Sequence, residues 1–305
     1  MKNQETLRQD GTVLPVLACN DRLADPGVLW TPLREHGAVL LRGAAFSAAA
    51  FEAATAPFAE YFRVHQDPTR RGYNPADTTQ SVTGGEDAIA LHAERAYLPG
   101  RPELLFFCCV TPPASAGETT LCDGAAIVDR LSAEDVRALD AMTLTWRSTL
   151  DKPRWRRLYH TGEPALAATL FSASIAIHGE KPRTRYWFDD DETLHVDYHA
   201  PSLNTGRISG RKAFANYLLL AALEPSGPRA TQADGSPVPA DLLRRVSDVA
   251  ESLTTEIAWQ RGDVAIIDNT RCLHGRRAFA GGAREILTRM GDARLGDARL
   301  PVTAG

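Results

Sequence analysis

The chain has 305 residues, of which 44% are hydrophobic and 24% charged, a composition typical of a globular protein with a sizeable core. Its formal net charge of −4 provides no long-range attraction for nucleic acid or an anionic membrane surface, so neither is expected as a partner. The five cysteines are odd in number and form no C-x-x-C pair, which argues against a disulfide scaffold and favours a reducing, cytoplasmic location.

In chain order, the polar opening MKNQETLRQDG lacks the apolar centre of a secretory signal, and no later apolar run is long enough to cross a bilayer. GAVLLRG at 37–43 predicts a buried strand between two glycines. Residues 47–61 then predict a helix despite Pro57, and the Pro-, Gly- and Asp-rich residues 66–86 predict a long loop. The nearly continuous apolar run ELLFFCCV at 103–110 predicts a second buried strand.

The second half of the chain mixes helical and strand patterns. Residues 125–141 predict a helix with Ser132 as a candidate N-cap, and the basic run KPRWRR at 152–157 predicts a solvated loop. The remaining patterns predict strands at 169–177, 184–188, 194–198, 258–269 and 284–290, and helices near 210–223 and 239–253. Together these elements predict one α+β domain over residues 1–305, with an insertion-like region at 150–255.

His92 and Glu94 occupy alternate positions of IALHAERAYLPG at 89–100, so in an extended chain they point to the same side. They form either half of a metal site or two solvated polar residues. His274 follows a β run that ends at Asp268 and Asn269, and such a histidine, taken alone, is more often structural. Two imidazoles and one carboxylate, however, are the ligand set of non-haem Fe(II) oxygenases, and a jelly-roll barrel brings such distant strands together. Asp268 and Asn269 are candidates to orient His274 from outside the ligand set.

Two further positions fit a binding site for 2-oxoglutarate. Arg284 lies ten residues beyond His274, and arginine offers the planar pair of donors that the distal carboxylate of this cosubstrate needs. Thr119, in the AGETT turn at 116–120, supplies a hydroxyl. Taken alone, each of these two residues is better explained as part of a surface salt bridge or a turn.

A second group of residues competes for the metal. LHVDYH at 194–199 places His195, Asp197 and His199 on one face of a strand, and with His274 they would also form a triad. The segment between 199 and 274 has mostly helix and turn patterns, too few strands to build a barrel, and the AGETT turn follows the other site. The sequence therefore favours the first set and leaves His195 and His199 as candidates for substrate binding.

Three stretches carry a resemblance to a known family: HGAVLLRG, LHAERAYLPGRPELLFFCCVTPPASAGETTLCDG, and WQRGDVAIIDNTRCLHGRRAF followed by REILTR. From about residue 30 to 292 the chain resembles the taurine dioxygenase and clavaminate synthase-like superfamily of Fe(II)/2-oxoglutarate-dependent oxygenases. The resemblance implies a double-stranded β-helix, or jelly roll, as the core of the α+β domain, with flanking helices and a large insertion. It also implies an enzyme that uses Fe(II), 2-oxoglutarate and O2 and releases succinate and CO2.

The resemblance implies a role for each matching residue. The iron ligands would be His92, Glu94 and His274, and the cosubstrate would be bound by Thr119 and Arg284. Arg289 would be the second arginine that often meets the substrate, but it lies five residues after Arg284 where relatives often show four. In a regular strand that spacing turns it to the opposite face.

The use of glutamate rather than aspartate at position 94 is shared with the clavaminate synthase-like branch, many of whose members act on amino acids. The resemblance therefore implies a hydroxylase of an amino acid or amino-acid-derived small molecule, free or tethered to a carrier protein, in secondary metabolism. The alternative substrates are a sulfonate or a betaine, and a betaine would need an aromatic cage built from Tyr186, Trp187, Tyr198 and Trp259. A catalytically silent jelly-roll binding module is the alternative of another class, disfavoured because the ligands and the arginine are retained. Desaturation or ring closure, the carbon attacked and the oligomeric state are left open.

Overall fold

The structure, a computed structural model, describes residues 5–8, 12–18, 26–177, 181–224 and 227–294. Its strands are β1 Glu5–Arg8, β2 Val13–Ala18, β3 Ala38–Arg42, β4 Ala59–Phe62, β5 Gln80–Ser81, β6 Ile89–His92, β7 Leu104–Thr111, β8 Thr119–Asp123, β9 Thr143–Leu150, β10 Thr184–Phe188, β11 Leu194–Pro201, β12 Asn204–Thr205, β13 Lys212–Ala213, β14 Arg229–Gln232, β15 Thr255–Ile257, β16 Val264–Asp268, β17 Cys272–Arg276 and β18 Glu285–Ala293.

The helices of the same part of the chain are α1 Pro26–His36, α2 Ala48–Thr55, α3 Gly124–Arg130, α4 Ala133–Asp140, α5 Lys152–Tyr159, α6 Pro164–Ile177, α7 Leu218–Ala221 and α8 Ala240–Leu253, with 3₁₀ turns at Ala56–Phe58 and Lys181–Arg183. Within these described ranges, no helix is long and apolar enough to span a membrane. The fold is mixed α+β.

Two sheets enclose the centre of the molecule. The larger has the strand order β1-β2-β3-β16-β7-β18-β4, with β5 paired to β18, and the smaller has the order β15-β8-β17-β6. Leu105, Ile267 and Ile286 of the larger sheet form one buried cluster with Leu121 and Cys272 of the smaller. This shared core holds the two sheets together, since each apolar side chain removed from water contributes about 1.5–3 kcal/mol.

Helices cover the outer face of the larger sheet. Phe106 and Ile266 lie on that face and pack in one cluster with Leu29 and Leu33 of α1 and Phe51 of α2. Strand β7 is therefore apolar on both faces, which explains why its sequence is a continuous apolar run and does not alternate.

The region between β9 and β14 forms a separate sheet with the order β10-β11-β9-β14, flanked by α5 and α6. The prediction of a strand at 169–177 is wrong, because α6 buries Ala167, Phe171 and Ile175 at every fourth position, the period of a helix. The prediction of a solvated loop at 152–157 is also wrong. Those residues form α5, which begins at the N-cap Asp151 and buries Trp155.

The observed ends of three predicted helices differ from those that the sequence pattern predicts. The helix predicted over 47–61 ends at Thr55, and a 3₁₀ turn containing Pro57 leads into β4. Residues 125–141 form two helices, and Ser132 is confirmed as the N-cap of the second because its Oγ accepts from the Asp135 backbone N–H at 3.1 Å. Only α7 is helical within 210–223.

Several predictions are confirmed. The apolar run at 37–43 contains β3, the run at 103–110 covers all of β7 except Thr111, residues 66–86 form a loop except for β5, and residues 239–253 contain α8. Four cysteines are free and buried, namely Cys108, Cys109, Cys122 and Cys272. Cys19 lies outside the described residues.

Candidate metal and cosubstrate site

Strand pairing brings the two candidate histidine ligands together. In the smaller sheet, His92 of β6 lies directly opposite His274 of β17, with their ring centroids 4.3 Å apart. Glu94 completes the group, and one ligand atom from each of the three buried residues lies within 4.8 Å of the other two. Within the described residues, this is the one cluster of three or more potential ligands.

Both imidazoles are neutral near physiological pH, as metal ligands must be. Burial lowers the pKa of His92 below its ordinary value, and burial together with the neighbouring His92 lowers the pKa of His274 to about 3. Nδ1 of His92 donates to the Ala90 carbonyl at 2.9 Å, which leaves its Nε2 as a free lone pair. Nδ1 of His274 is buried without a partner among the described residues. This donor set fits a divalent transition metal.

The sequence pattern predicts that Glu94 continues the extended strand of His92, but in the structure it does not. The strand ends at His92, and Glu94 lies in a turn whose next residue, Arg95, has a φ of 55°. Asn269 holds this turn, because its Oδ1 accepts from the Glu94 N–H at 2.7 Å and its Nδ2 donates to the Glu94 carbonyl at 3.0 Å. Asn269 therefore positions Glu94 and not His274, which corrects the role expected for it.

Two residues that the sequence did not single out contact the Glu94 carboxylate. Nε2 of His65 lies 3.3 Å from Oε1, and Nη2 of Arg70 lies 3.6 Å from Oε2. Nδ1 of His65 accepts from the Asp67 N–H at 3.0 Å, so the Nε2–H is the group that faces Glu94. Burial alone would raise the pKa of Glu94, but His65 and Arg70 outweigh it and hold the pKa well below its usual range. His65 and Arg70 belong to the loop region after β4, whose composition gives no indication of such a role.

The predicted cosubstrate residues lie in the same cavity as the three candidate ligands. This cavity has a volume of about 1150 Å³ and is lined by Thr119 and Arg284 as well as by His92, Glu94 and His274. Burial, and the nearby Arg276, lower the pKa of Arg284 to about 10, still well above physiological pH. Arg284 donates to the Gly117 carbonyl at 3.2 Å, and no carboxylate among the described residues pairs with it.

Arg276 is a further cavity residue that sequence reasoning missed. Its guanidinium donates to the Thr83 carbonyl at 2.9 Å and to the Asp87 carbonyl at 2.7 Å, so it fixes the loop before β6. It lies beside Arg284, and both guanidinium groups lie over the ring of Phe279, at 5.4 and 5.6 Å. Two adjacent cations make this end of the cavity attractive to an anion.

The other candidate residues take different positions. His195 lines the cavity, stacks on Trp187 at 5.0 Å, and lies 2.7 Å from an oxygen of Asp189. His199 lies on the same face of β11 but outside the cavity lining, where it contacts Thr145 at 3.0 Å. The LHVDYH stretch therefore forms no three-residue metal cluster within the described part of the chain.

Arg289 lies on the opposite face of β18, as its spacing predicts. Its Nη1 donates to Thr55 Oγ1 at 2.6 Å and to the Glu52 carbonyl at 3.1 Å, and its guanidinium lies 3.4 Å from the Phe62 ring centroid. It does not line the cavity, so the substrate contact expected for it is not supported by its position. His199 also lies outside the cavity lining, so its position does not support the substrate contact expected for it either.

Asp268 is buried and supports the turn between β16 and β17. Its Oδ1 accepts from the N–H and hydroxyl of Thr270, at 2.9 and 2.5 Å, and its Oδ2 has no partner among the described residues. Its hydrogen bonds go to Thr270 and not to His274, so the expectation that it orients that histidine is not supported. Burial raises the pKa of Asp268 to about 6.

Comparison with known proteins gives matches over most of the chain. Residues 19–290 match the taurine catabolism dioxygenase TauD, TfdA family. A clavaminate synthase-like protein of Arabidopsis thaliana is 27% identical over 272 residues, which cover 81% of this chain and 79% of the relative. A taurine dioxygenase from Burkholderia xenovorans has a TM-score of 0.61 at 14% identity, over 95% of this chain and 89% of that one. PvcB from Pseudomonas aeruginosa has a TM-score of 0.59 at 17% identity, over 98% and 93% of the two chains. At these identities the two structures establish a shared fold.

The raised pKa of Asp268 predicts a pH dependence of stability. The unfolded chain releases this proton near pH 4, whereas the folded protein retains it to about pH 6. The buried His92 and His274, with lowered pKa values, make the free energy of unfolding rise with pH over the same range. Asp268 contributes in the opposite direction: its folded carboxyl keeps a proton that the unfolded one has lost, so its own contribution to the free energy of unfolding falls as the pH rises, by on the order of 3 kcal/mol. Asp268→Asn keeps the Oδ1 acceptor and should remove this fall, as urea unfolding between pH 4 and 7 would measure. Asp248→Asn replaces an exposed aspartate and, as a control, should show the same pH dependence as the wild type. An unchanged pH dependence in Asp268→Asn would contradict the prediction.

Proposed function

The chain belongs to the taurine catabolism dioxygenase TauD, TfdA family and is an Fe(II)- and 2-oxoglutarate-dependent dioxygenase, and on this premise we propose that it hydroxylates an unactivated C–H of an amino acid or amino-acid-derived small molecule. The observation that carries the proposal is a single cavity with three parts. It contains a His–Glu–His cluster, an arginine that pairs with no carboxylate of the described residues, and a lining with side chains of both charges.

The iron ligands in this proposal are His92, Glu94 and His274. The two imidazoles offer neutral nitrogen lone pairs, and Glu94 offers an ionised oxygen that His65 and Arg70 keep from being protonated. With Fe(II) and 2-oxoglutarate bound, the site supplies the oxidising chemistry, in which O2 is consumed, succinate and CO2 are released, and one oxygen atom goes to the substrate.

Arg284 is the proposed partner of the distal carboxylate of 2-oxoglutarate. Its guanidinium lies in a largely buried part of the cavity, where a charge-assisted bond to a carboxylate is stronger than in water. Thr119 lies nearby in the lining, and its Oγ1 accepts from the Trp259 indole at 2.9 Å. The Thr119 hydroxyl hydrogen therefore points elsewhere and is available to a cosubstrate oxygen.

The substrate class is supported by the charged residues of the cavity lining. Arg147 and Asp197 line the cavity as a pair at 3.9 Å, and Arg154, Asp67 and Glu224 also belong to the lining. A free amino acid carries an ammonium and a carboxylate together, so a wall with both charges suits it better than a wall of one sign. Trp187 and His195 add a stacked pair for an apolar or aromatic portion.

The alternative substrates receive less support. Of the four aromatic residues considered for a betaine cage, Trp187 lines the cavity, whereas Tyr186, Tyr198 and Trp259 pack elsewhere. A sulfonate would pair with an arginine of the lining but offers no cation to the acidic residues Asp67, Asp197 and Glu224. A silent binding module is not carried further, because the chain belongs to a dioxygenase family and retains the ligand set.

Three finer points are part of the same proposal. The two facing sheets with a shared core support a double-stranded β-helix, and residues 1–305 are proposed as one domain with 150–255 as an insertion. A carrier-tethered substrate is an alternative to a free one. A role in secondary metabolism is also proposed; PvcB, which shares the fold, is an Fe, α-ketoglutarate-dependent oxygenase from an isonitrile synthetic pathway.

Replacement of Arg284 tests its proposed contact with the distal carboxylate of 2-oxoglutarate. Arg284→Gln should weaken 2-oxoglutarate binding about 10- to 100-fold, the loss expected for a hydrogen-bonded charge pair of about 1.5–3 kcal/mol. Arg289→Gln is the matched control, because it makes the same change on the opposite face of β18. Titration of 2-oxoglutarate into the anaerobic Fe(II) protein measures both. Equal affinities in the two variants would contradict the assignment of Arg284.

Substrate-stimulated turnover tests the proposed substrate class. Amino acids, their betaines and sulfonates are supplied with Fe(II), O2 and 2-oxoglutarate, and succinate is measured together with the hydroxylated product. We expect a free amino acid to raise succinate formation above the uncoupled rate and to be hydroxylated in equal amount. Stimulation by a betaine or a sulfonate alone would contradict the amino-acid proposal, and stimulation only by carrier-bound amino acid would identify the tethered form.

A further inference from the structure

The turn after β6 borders two cavities. Glu94 lines the large cavity described above, whereas the next residue, Arg95, lines a second cavity of about 320 Å³. The two cavities share no lining residue. We call the second one the Arg95 pocket; its lining includes Arg63, Thr78, Tyr159 and Ser174.

The backbone of Arg95 explains how adjacent side chains reach different cavities. Its φ of 55° is in the left-handed region, which is unfavourable for a residue with a large side chain. Such a conformation costs about 1 kcal/mol or more and persists only when the surroundings impose it. Here the Asn269 hydrogen bonds on either side of Glu94 impose it.

The charge of Arg95 is poorly compensated within the protein. The residue is 8% exposed, its Nη1 donates to the Val64 carbonyl at 3.3 Å, and its Nε is buried without a partner. No carboxylate of the described residues forms a salt bridge with it. A buried guanidinium in this condition is costly, and a bound counter-ion would remove that cost.

The rest of the Arg95 pocket has the chemistry of an anion site. None of its described lining residues is an aspartate or glutamate, and Thr78, Tyr159 and Ser174 contribute hydroxyl groups. Arg63 adds a second guanidinium, which is already bonded to Asp292 at 2.6 Å. Arg95 is therefore the cation in this pocket that an incoming anion would neutralise.

We propose that the Arg95 pocket binds a small oxyanion, a carboxylate or a sulfate-like group, through the guanidinium of Arg95 and the neighbouring hydroxyl groups. The volume accommodates an ion of this size with several waters. The site is distinct from the proposed 2-oxoglutarate site, and it lies one residue from Glu94 along the chain. Anion binding there stabilises the turn that carries the carboxylate of the large cavity.

Thermal unfolding of the full-length protein tests the proposal, with sulfate or acetate replacing chloride at constant ionic strength. The measurement is made with and without anaerobic Fe(II) and 2-oxoglutarate. Sulfate and acetate also stabilise folded proteins generally by exclusion from their surface. The expected sign of binding is therefore a rise in Tm that is about 2–4 °C larger in the wild type than in Arg95→Gln, as for an anion that binds the folded state alone. Arg95→Gln should lose this additional shift and, in chloride, should unfold at or above the wild-type temperature because the uncompensated charge is gone.

Two further variants keep the test decisive. Ser174→Phe fills the pocket without a change of charge and should also lose the shift, even if Arg95→Gln does not fold. Arg156→Gln removes a charge from the exposed side of α5 and should keep the shift. A shift in Arg95→Gln or Ser174→Phe as large as that of the wild type would overturn the proposal, as would the absence of any shift in the wild type. A shift lost in Arg284→Gln but kept in Arg95→Gln would place the anion in the large cavity and overturn it equally.

Discussion

The register of one strand pair is the constraint on which the rest of the site depends. Because β6 and β17 pair with His92 opposite His274, two imidazoles that are far apart in the sequence lie in contact, without any help from a flexible loop. A shift of one residue in this pairing would turn one of the histidines to the other face of the sheet. The pairing of β17 with β8 on its other side, from Cys272 opposite Asp123 to Arg276 opposite Thr119, makes such a shift costly.

The large middle region also serves the site, although it contributes no metal ligand. Arg157 of α5 donates to the carboxylate of Asp77 at 2.6 Å and to the Arg70 carbonyl at 2.6 Å. The helix thereby holds the loop that presents His65 and Arg70 to Glu94. A segment that the sequence pattern makes seem peripheral thus fixes the electrostatic environment of the carboxylate.

The extent to which the sequence predicts the fold and the site differs from one residue to another. His92, Glu94 and His274 lie in distinctive sequence blocks, and long apolar runs predict β3 and β7, so these features are accessible from the sequence. The turn at Glu94 is not, because a left-handed Arg95 has no signature comparable to that of glycine or asparagine. His65 and Arg70 are equally hidden, since an irregular loop has no period from which the direction of a side chain follows. The sequence pattern predicts a strand at 169–177, whereas α6 is a helix whose four-residue spacing of buried positions is revealed only by the structure.

The most direct test of the account is the absorption spectrum of the anaerobic protein with Fe(II), before and after addition of 2-oxoglutarate. Two variants are compared with the wild type, and each replaces a histidine that lines the same cavity: His92→Ala and His195→Ala. We expect a charge-transfer band that requires 2-oxoglutarate, disappears in His92→Ala and persists in His195→Ala. A band that persists in His92→Ala, or one that is lost only in His195→Ala, would contradict the assignment of the metal site.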